Sequence, residues 1–238
     1  MQGKNILITG ASSGIGKETA LYFASQGATV VLVARNEDRL QETASKIGKQ
    51  ALVYVCDLKN PEDITGLFQY IKEQNLMLDG MVHSAGIAKP VPIRTESTAG
   101  MEETMRINFF SFMELGKQFY NRKHSREGAS IVAVSSMAAV RPVMGQAAYA
   151  SSKAALNCAV EVMAKEFLKR KIRVNAIMPS YVATPMVSGN VGYGMDNGIE
   201  HMPLGVIEPI QIAYLAEFLL SDRAKHITGT AIPVTSGI

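Results

Sequence analysis

The chain has 238 residues and a formal net charge of +3, enough length for one substantial core and too little positive charge to argue for a nucleic-acid partner. Hydrophobic residues make up 47% and charged residues 19%, which excludes a disordered chain; no apolar run approaches the roughly 20 residues of a membrane helix. Cys56 and Cys158 stand in apolar stretches without Cys-x-x-Cys or His-x-x-x-His company, so they read as small hydrophobes and no metal site is expected.

Met1-Gln2-Gly3-Lys4 leads straight into an apolar run, leaving no room for a signal peptide, and a cytoplasmic location is expected. Asn5 to Thr9 is bounded by Gly10 and reads as a buried strand. From Gly14 to Gln26 the spacing of Ile15, Thr19, Tyr22 and Phe23 is helical, and Gly27 stops it. Thr29 to Ala34 is the second strand, Glu37 to Ile47 a charged helix ending at Gly48, and Ala51 to Cys56 the third strand. Pro61 opens another helix.

The alternation continues with strand Met81 to His83, helix Thr98 to Lys117, strand Ser130 to Val134, helix Ala147 to Leu168 and strand Arg173 to Met178. A helix from Pro209 to Leu220 and a strand from Thr230 to Val234 close the chain. Strands apolar on both faces predict a parallel sheet covered by helices, and right-handed crossovers make it a doubly wound α/β domain. With no linker or repeat, residues 1–238 form one domain. Met186 to Met202 is the exception: its scattered glycines, Gly189, Gly192, Gly194 and Gly198, suggest a mobile lid over a substrate pocket.

Gly10-Ala11-Ser12-Ser13-Gly14-Ile15-Gly16 joins the first strand to the first helix. Glycines there let the backbone approach a pyrophosphate, and the helix offers its unpaired N–H groups and positive end. A tight structural turn is the bland alternative; the strand-to-helix setting favours a nucleotide site. An acid at the end of the second strand would bind ribose hydroxyls and repel a 2′-phosphate, but Ala34 is followed by Arg35 and Asn36. A forked guanidinium suits that phosphate, so NADP(H) is expected over NAD. Asp57 either accepts from the adenine amino group or caps the turn before Pro61.

Tyr149 and Lys153 are four apart on one helix, hence on one face. An ammonium there would favour the phenolate and draw the phenol towards the working range of a general acid/base. The plain alternative is a core tyrosine with a snorkelling lysine. Ser136 follows the fifth strand, where a hydroxyl could donate to a substrate carbonyl oxygen, and Ser135 is not separable from it by spacing. Asn108, an amide among Ile107, Phe109 and Phe110, either holds a water that relays protons to Lys153 or bends its helix.

Taken together and in order, these residues resemble the short-chain dehydrogenase/reductase family over essentially the whole chain, and within it the 3-oxoacyl-[acyl carrier protein] reductases. Thr9 to Gly16 matches Thr-Gly-x-x-x-Gly-x-Gly, and Cys56-Asp57-Leu58 the adenine-binding strand end. Ser136, Tyr149 and Lys153 match the catalytic triad, with Asn108 as fourth member. The resemblance implies a Rossmann-like sheet of about seven strands in the order 3-2-1-4-5-6-7. It implies Tyr149 as acid/base, Ser136 as the group that orients and polarises the carbonyl, Lys153 on the nicotinamide ribose and Asn108 on the relay water. Cofactor contacts would include Ser84, Ala85 and Gly86, and Pro179, Val182 and Thr184 beyond the sixth strand. Three departures are visible: His83-Ser84 replaces the Asn-Asn of Asn-Asn-Ala-Gly, Pro179-Ser180 replaces Pro-Gly, and Thr235-Ser236-Gly237 replaces Asp-Gly-Gly. A homotetramer or homodimer acting on a small carbonyl or alcohol is implied, by reduction of a 3-oxoacyl thioester or dehydrogenation of an alcohol, sugar or polysaccharide precursor. A non-catalytic NADP sensor would be expected to lack the tyrosine or the lysine.

Overall fold

A computed structural model describes residues 1–188 and 202–238. Most of the predicted lid between Met186 and Met202 therefore lies outside the described residues. The strands are β1 Asn5–Thr9, β2 Thr29–Ala34, β3 Ala51–Val55, β4 Leu78–His83, β5 Ser125–Val134, β6 Arg173–Pro179 and β7 Ala231–Val234. They form a seven-stranded sheet in the order β3-β2-β1-β4-β5-β6-β7, parallel throughout. The helices are α1 Gly14–Ser25, α2 Glu37–Ile47, α3 Pro61–Glu73, α4 Thr98–Met105, α5 Ser111–Tyr120, α6 Ala147–Glu166, the single turn α7 Pro185–Ser188 and α8 Pro209–Leu220. No described helix is long and apolar enough to cross a membrane.

Alternation along each strand divides the core in two. Leu7, Val31 and Val33 face Phe68, Phe112, Leu115, Leu156 and Val160 of α3, α5 and α6. Ile6, Ile8, Val30 and Leu32 face Phe23, Leu40, Ile212 and Leu219 of α1, α2 and α8. Both layers exclude water from the sheet, which is why its strands carry no polar face.

Three elements depart from the expected pattern. β4 and β5 begin three and five residues earlier than the apolar runs suggest, at Leu78 and Ser125. Their polar starts pair with each other: Leu78 is in register with Ser125, and Arg126 Nε lies 3.2 Å from Asp79 Oδ1. The long helix from Thr98 is also interrupted, by a π-turn over Arg106–Phe110 that contains Asn108 and separates α4 from α5.

Candidate active site

The carboxyl ends of β1 to β4 open onto a cleft of about 600 Å³. Its lining includes Gly10, Ser12, Ser13, Gly14, Ile15 and Gly16 from the first turn, and Arg35, Asn36, Asp57, Leu58, Ser84, Ala85, Gly86 and Thr184 around it. The turn is tight for two reasons. Gly10 has φ +70°, in the left-handed region, and a Cβ added at Gly16 would stand 2.4 Å from the Gly10 carbonyl oxygen and 2.5 Å from Ser84 Oγ. The N-cap of α1, Ser13, makes no side-chain cap hydrogen bond, and the first turn carries no acid. α2 is the contrast, capped by Asn36 and carrying Glu37 and Asp38 in its first turn. A helix end without its own anion beside a cleft of this size fits a dinucleotide phosphate.

The rim of the cleft differs in part from expectation. Arg35 is exposed beside it, while the Asn36 side chain accepts from the Arg39 N–H at 2.9 Å. Arg39 also lines the cleft, a second cation that spacing from the strand end does not reveal because it sits inside α2. Asp57 Oδ1 accepts from the Lys59 N–H at 3.1 Å, so the turn-capping role is present, while the residue still faces the cleft. Pro179 and Val182 are outside the lining. Pro179 ends β6, buried, and Val182 is 4% exposed, bridging to Ile207 and packing into the second core layer. Thr184, Pro185 and Met186 represent that segment in the cleft wall.

Beside the cleft, β5, α6 and the π-turn bring four polar groups together. The structure separates the two serines. Ser135 is buried, its Oγ donating to the Lys153 carbonyl at 3.3 Å. Ser136 is half-buried, caps the short turn Met137–Ala139 by accepting from the Ala138 N–H at 3.1 Å, and lies near enough to the Tyr149 phenol to favour its ionised form. Lys153 is 4% exposed, donates to the Val134 carbonyl at 2.8 Å, and stands 5.9 Å from the Tyr149 ring centroid. Gly86 marks where this group meets the cleft: a Cβ there would be 3.2 Å from Asn108 Oδ1 and 3.4 Å from Lys153 Nζ.

Asn108, fully buried, acts as a fork. Its Oδ1 accepts from the Ile87 N–H at 2.8 Å, and its Nδ2 donates to the Ile87 carbonyl and to Ser152 Oγ, both at 2.9 Å. Ser152 Oγ in turn donates to the Tyr149 carbonyl at 2.7 Å. Both amide hydrogens are thus engaged in fixing the cleft loop to α6, and a relay water would have only the remaining acceptor capacity of Oδ1 at this side chain.

The electrostatics correct one expectation. Burial pushes the Tyr149 phenol up, and the nearby Ser136 hydroxyl offsets this in part. Lys153, held by the Val134 carbonyl, does not reverse it. Burial lowers Lys153 itself to about 8. A phenol so placed keeps its proton at neutral pH.

A parallel doubly wound sheet, an uncapped helix end under a glycine turn, and a serine–tyrosine–lysine group beside the cleft define a dinucleotide-binding α/β oxidoreductase. The chain belongs to the short-chain dehydrogenase/reductase family: residues 10–238 match the family described as Enoyl-(Acyl carrier protein) reductase. The 3-oxoacyl-[acyl-carrier-protein] reductase of Thermotoga maritima is 30% identical over 242 residues, covering 100% of this chain and 98% of that protein. A short-chain glucose/ribitol dehydrogenase from Brucella melitensis superposes with a TM-score of 0.93 at 29% identity, covering 100% of this chain and 97% of that one. The 3-ketoacyl-(acyl-carrier-protein) reductase of the same organism, complexed with NADH, gives 0.91 at 30% identity, covering 99% and 98%. The chain is an oxidoreductase of this family, acting on CH–OH groups with a nicotinamide cofactor.

Proposed function

We propose that this protein reduces a ketone with NADPH, Tyr149 giving its proton to the forming alkoxide. The observation that carries the reading is the buried Lys153 ammonium 5.9 Å from the Tyr149 ring centroid, with its Nζ reaching the position of Gly86 in the lining of a dinucleotide-sized cleft. Arg35 and Arg39 support the 2′-phosphorylated cofactor, since no acid of the kind that recognises ribose hydroxyls follows Ala34. The glycine turn and the Ser12–Ile15 segment would hold the pyrophosphate, Asp57 and Leu58 the adenine end, and Ser84 to Gly86 with Lys153 the nicotinamide end. When bound, the nicotinamide supplies the hydride.

Ser136 orients the substrate carbonyl and donates to its oxygen as negative charge develops. Tyr149, protonated because its phenol is pushed up, then acts as general acid. The Lys153 cation favours the resulting phenolate, and Asn108 keeps α6 and the cleft loop in one arrangement.

A 3-oxoacyl thioester is the first substrate to try, given the Thermotoga relative. The Brucella glucose/ribitol dehydrogenase favours a polyol or sugar as the second reading. Exposed Phe110, Met113, Val162 and Leu168 on α5, α6 and their flanks support assembly as a homotetramer or homodimer. The two unpaired cysteines, Cys56 and Cys158, suit the cytoplasm.

The test is NADPH and NADH oxidation against a panel of 3-oxoacyl thioesters, ketoses and cyclic ketones. Tyr149→Phe should lower kcat by roughly 100-fold or more while NADPH binds as before; hydride transfer at near the parental rate would remove Tyr149 from the mechanism.

A further inference from the structure

β4 ends on His83, a position where the family's pattern has asparagine, and the reaction proposed above makes no use of it. The residue is fully buried. It stands in register with Thr9, the last residue of β1, and its Nδ1 is 2.9 Å from Thr9 Oγ1. Beyond this pair both strands break into the turns that line the cleft, Gly10 onward and Ser84 to Gly86. The ladder of main-chain hydrogen bonds stops there, and side chains take over. Ser84 Oγ donates to the Thr9 carbonyl at 2.8 Å, and the Ala85 N–H donates to Thr9 Oγ1 at 3.3 Å.

Thr9 Oγ1 accepts from Ala85 and keeps a second lone pair and its own hydrogen, so it meets Nδ1 as donor or acceptor according to the imidazole tautomer. Either way the bond engages Nδ1 and leaves Nε2. That nitrogen finds no partner among the described residues and lies on a ring 5.4 Å from Phe112. Burial, with the Lys153 charge adding to it, holds the imidazole far towards its neutral form, down to about 3. An orphaned buried nitrogen is unfavourable in a core and persists where another requirement keeps it.

We propose that His83 is a positioning residue for cofactor binding: by bonding the Thr9 hydroxyl through Nδ1, it holds Thr9 as the acceptor for Ala85 and so sets the spacing between the two turns that hold the dinucleotide. The two turns pack closely: the place a Cβ would take at Gly10 is 2.9 Å from the Ala85 nitrogen, and that at Gly16 is 2.5 Å from Ser84 Oγ. The inference rests on reading the cleft as the nicotinamide cofactor site.

The experiment is a double-mutant cycle of Thr9→Val and His83→Leu, with NADPH and NADH affinities measured by calorimetry and melting temperatures recorded alongside. His83→Leu should bind NADPH about tenfold more weakly, the effect of one buried hydrogen bond, while its melting temperature stays level or rises because the orphan nitrogen is gone. Thr9→Val should weaken binding by a similar factor, and the double variant by no more than either single one. The 15N spectrum of the His83 imidazole, assigned by its loss in the leucine variant, should show a single neutral tautomer across the neutral range. Additive losses, an unchanged affinity in His83→Leu, or two exchanging tautomers would each overturn the proposal while leaving the cofactor site in place. A parent chain that bound neither nucleotide would overturn both together.

Discussion

Removing the Arg35 side chain tests the choice between the two nicotinamide cofactors most directly. Arg35 is exposed at the end of β2, and among the described residues no carboxylate lies within ion-pair distance of it or of Arg39; Glu103 feels the Arg35 charge only from farther off. A charge-assisted hydrogen bond to a phosphate contributes about 1.5–3 kcal/mol, and solvent at this rim holds Arg35 near the lower end. Arg35→Ala should therefore lower kcat/KM for NADPH by about 10- to 30-fold. NADH has no 2′-phosphate, and its kcat/KM should stay within about twofold. With Arg39→Ala added, the NADPH loss should reach roughly 100-fold or more, since the two side chains reach the cleft rim from different positions. The contrast should shrink at high salt, where the Debye length falls to about 3 Å. Steady-state rates with both cofactors at low and high salt measure all of this. Equal losses for NADPH and NADH would refute the reasoning, as would a discrimination indifferent to salt.

Three further outcomes follow from the same geometry. Gly16→Ala should leave a folded chain with NADPH affinity at least about tenfold weaker by calorimetry, because the added carbon meets the Gly10 carbonyl rather than a yielding side chain. Arg173→Leu should lower stability by about 2–4 kcal/mol, read as a melting shift of roughly 5–15 °C, since its guanidinium holds the carbonyls of Leu219, Ser221 and Ile227 at the end of α8. Lys153, lowered to about 8, binds its proton less tightly folded than unfolded, so the unfolded chain holds more protons above that pH and stability should rise from about pH 8 towards 10. Denaturant unfolding should show this rise, up to about 3 kcal/mol, in the parent chain and not in Lys153→Met; identical slopes would count against it.

The strands and their layering were legible because burial on both faces leaves an unbroken apolar run; their order came from the family resemblance. The starts of β4 and β5 were not, because Asp79 and Arg126 neutralise each other across the ladder and look like loop residues taken singly. The candidate quartet of Asn108, Ser136, Tyr149 and Lys153 was proposed from the sequence as an ordered set, yet spacing could not choose between Ser135 and Ser136; only the direction each hydroxyl takes from the end of β5 separates them. Arg39 was missed because a helical cation is ordinarily a solvated surface charge, and the fold alone turns it to the cleft. Nor could an i, i+4 pattern reveal that burial would govern Tyr149 more strongly than its lysine neighbour. That balance depends on depth, which spacing does not encode.

The wide turn at Arg106–Phe110 sets the rotational phase of everything after it. Each residue of a regular helix advances about 100°, so the extra residue accommodated there decides which side of α5 meets the sheet. As it stands, Phe112, Leu115 and Phe119 point inward. Deleting one residue from the turn would let the helix run on regularly and swing that apolar stripe a quarter-turn or more out of alignment, taking the Asn108 fork with it. One irregularity thus keeps a buried amide and an apolar seam in step, two demands that an unbroken helix could not meet at once.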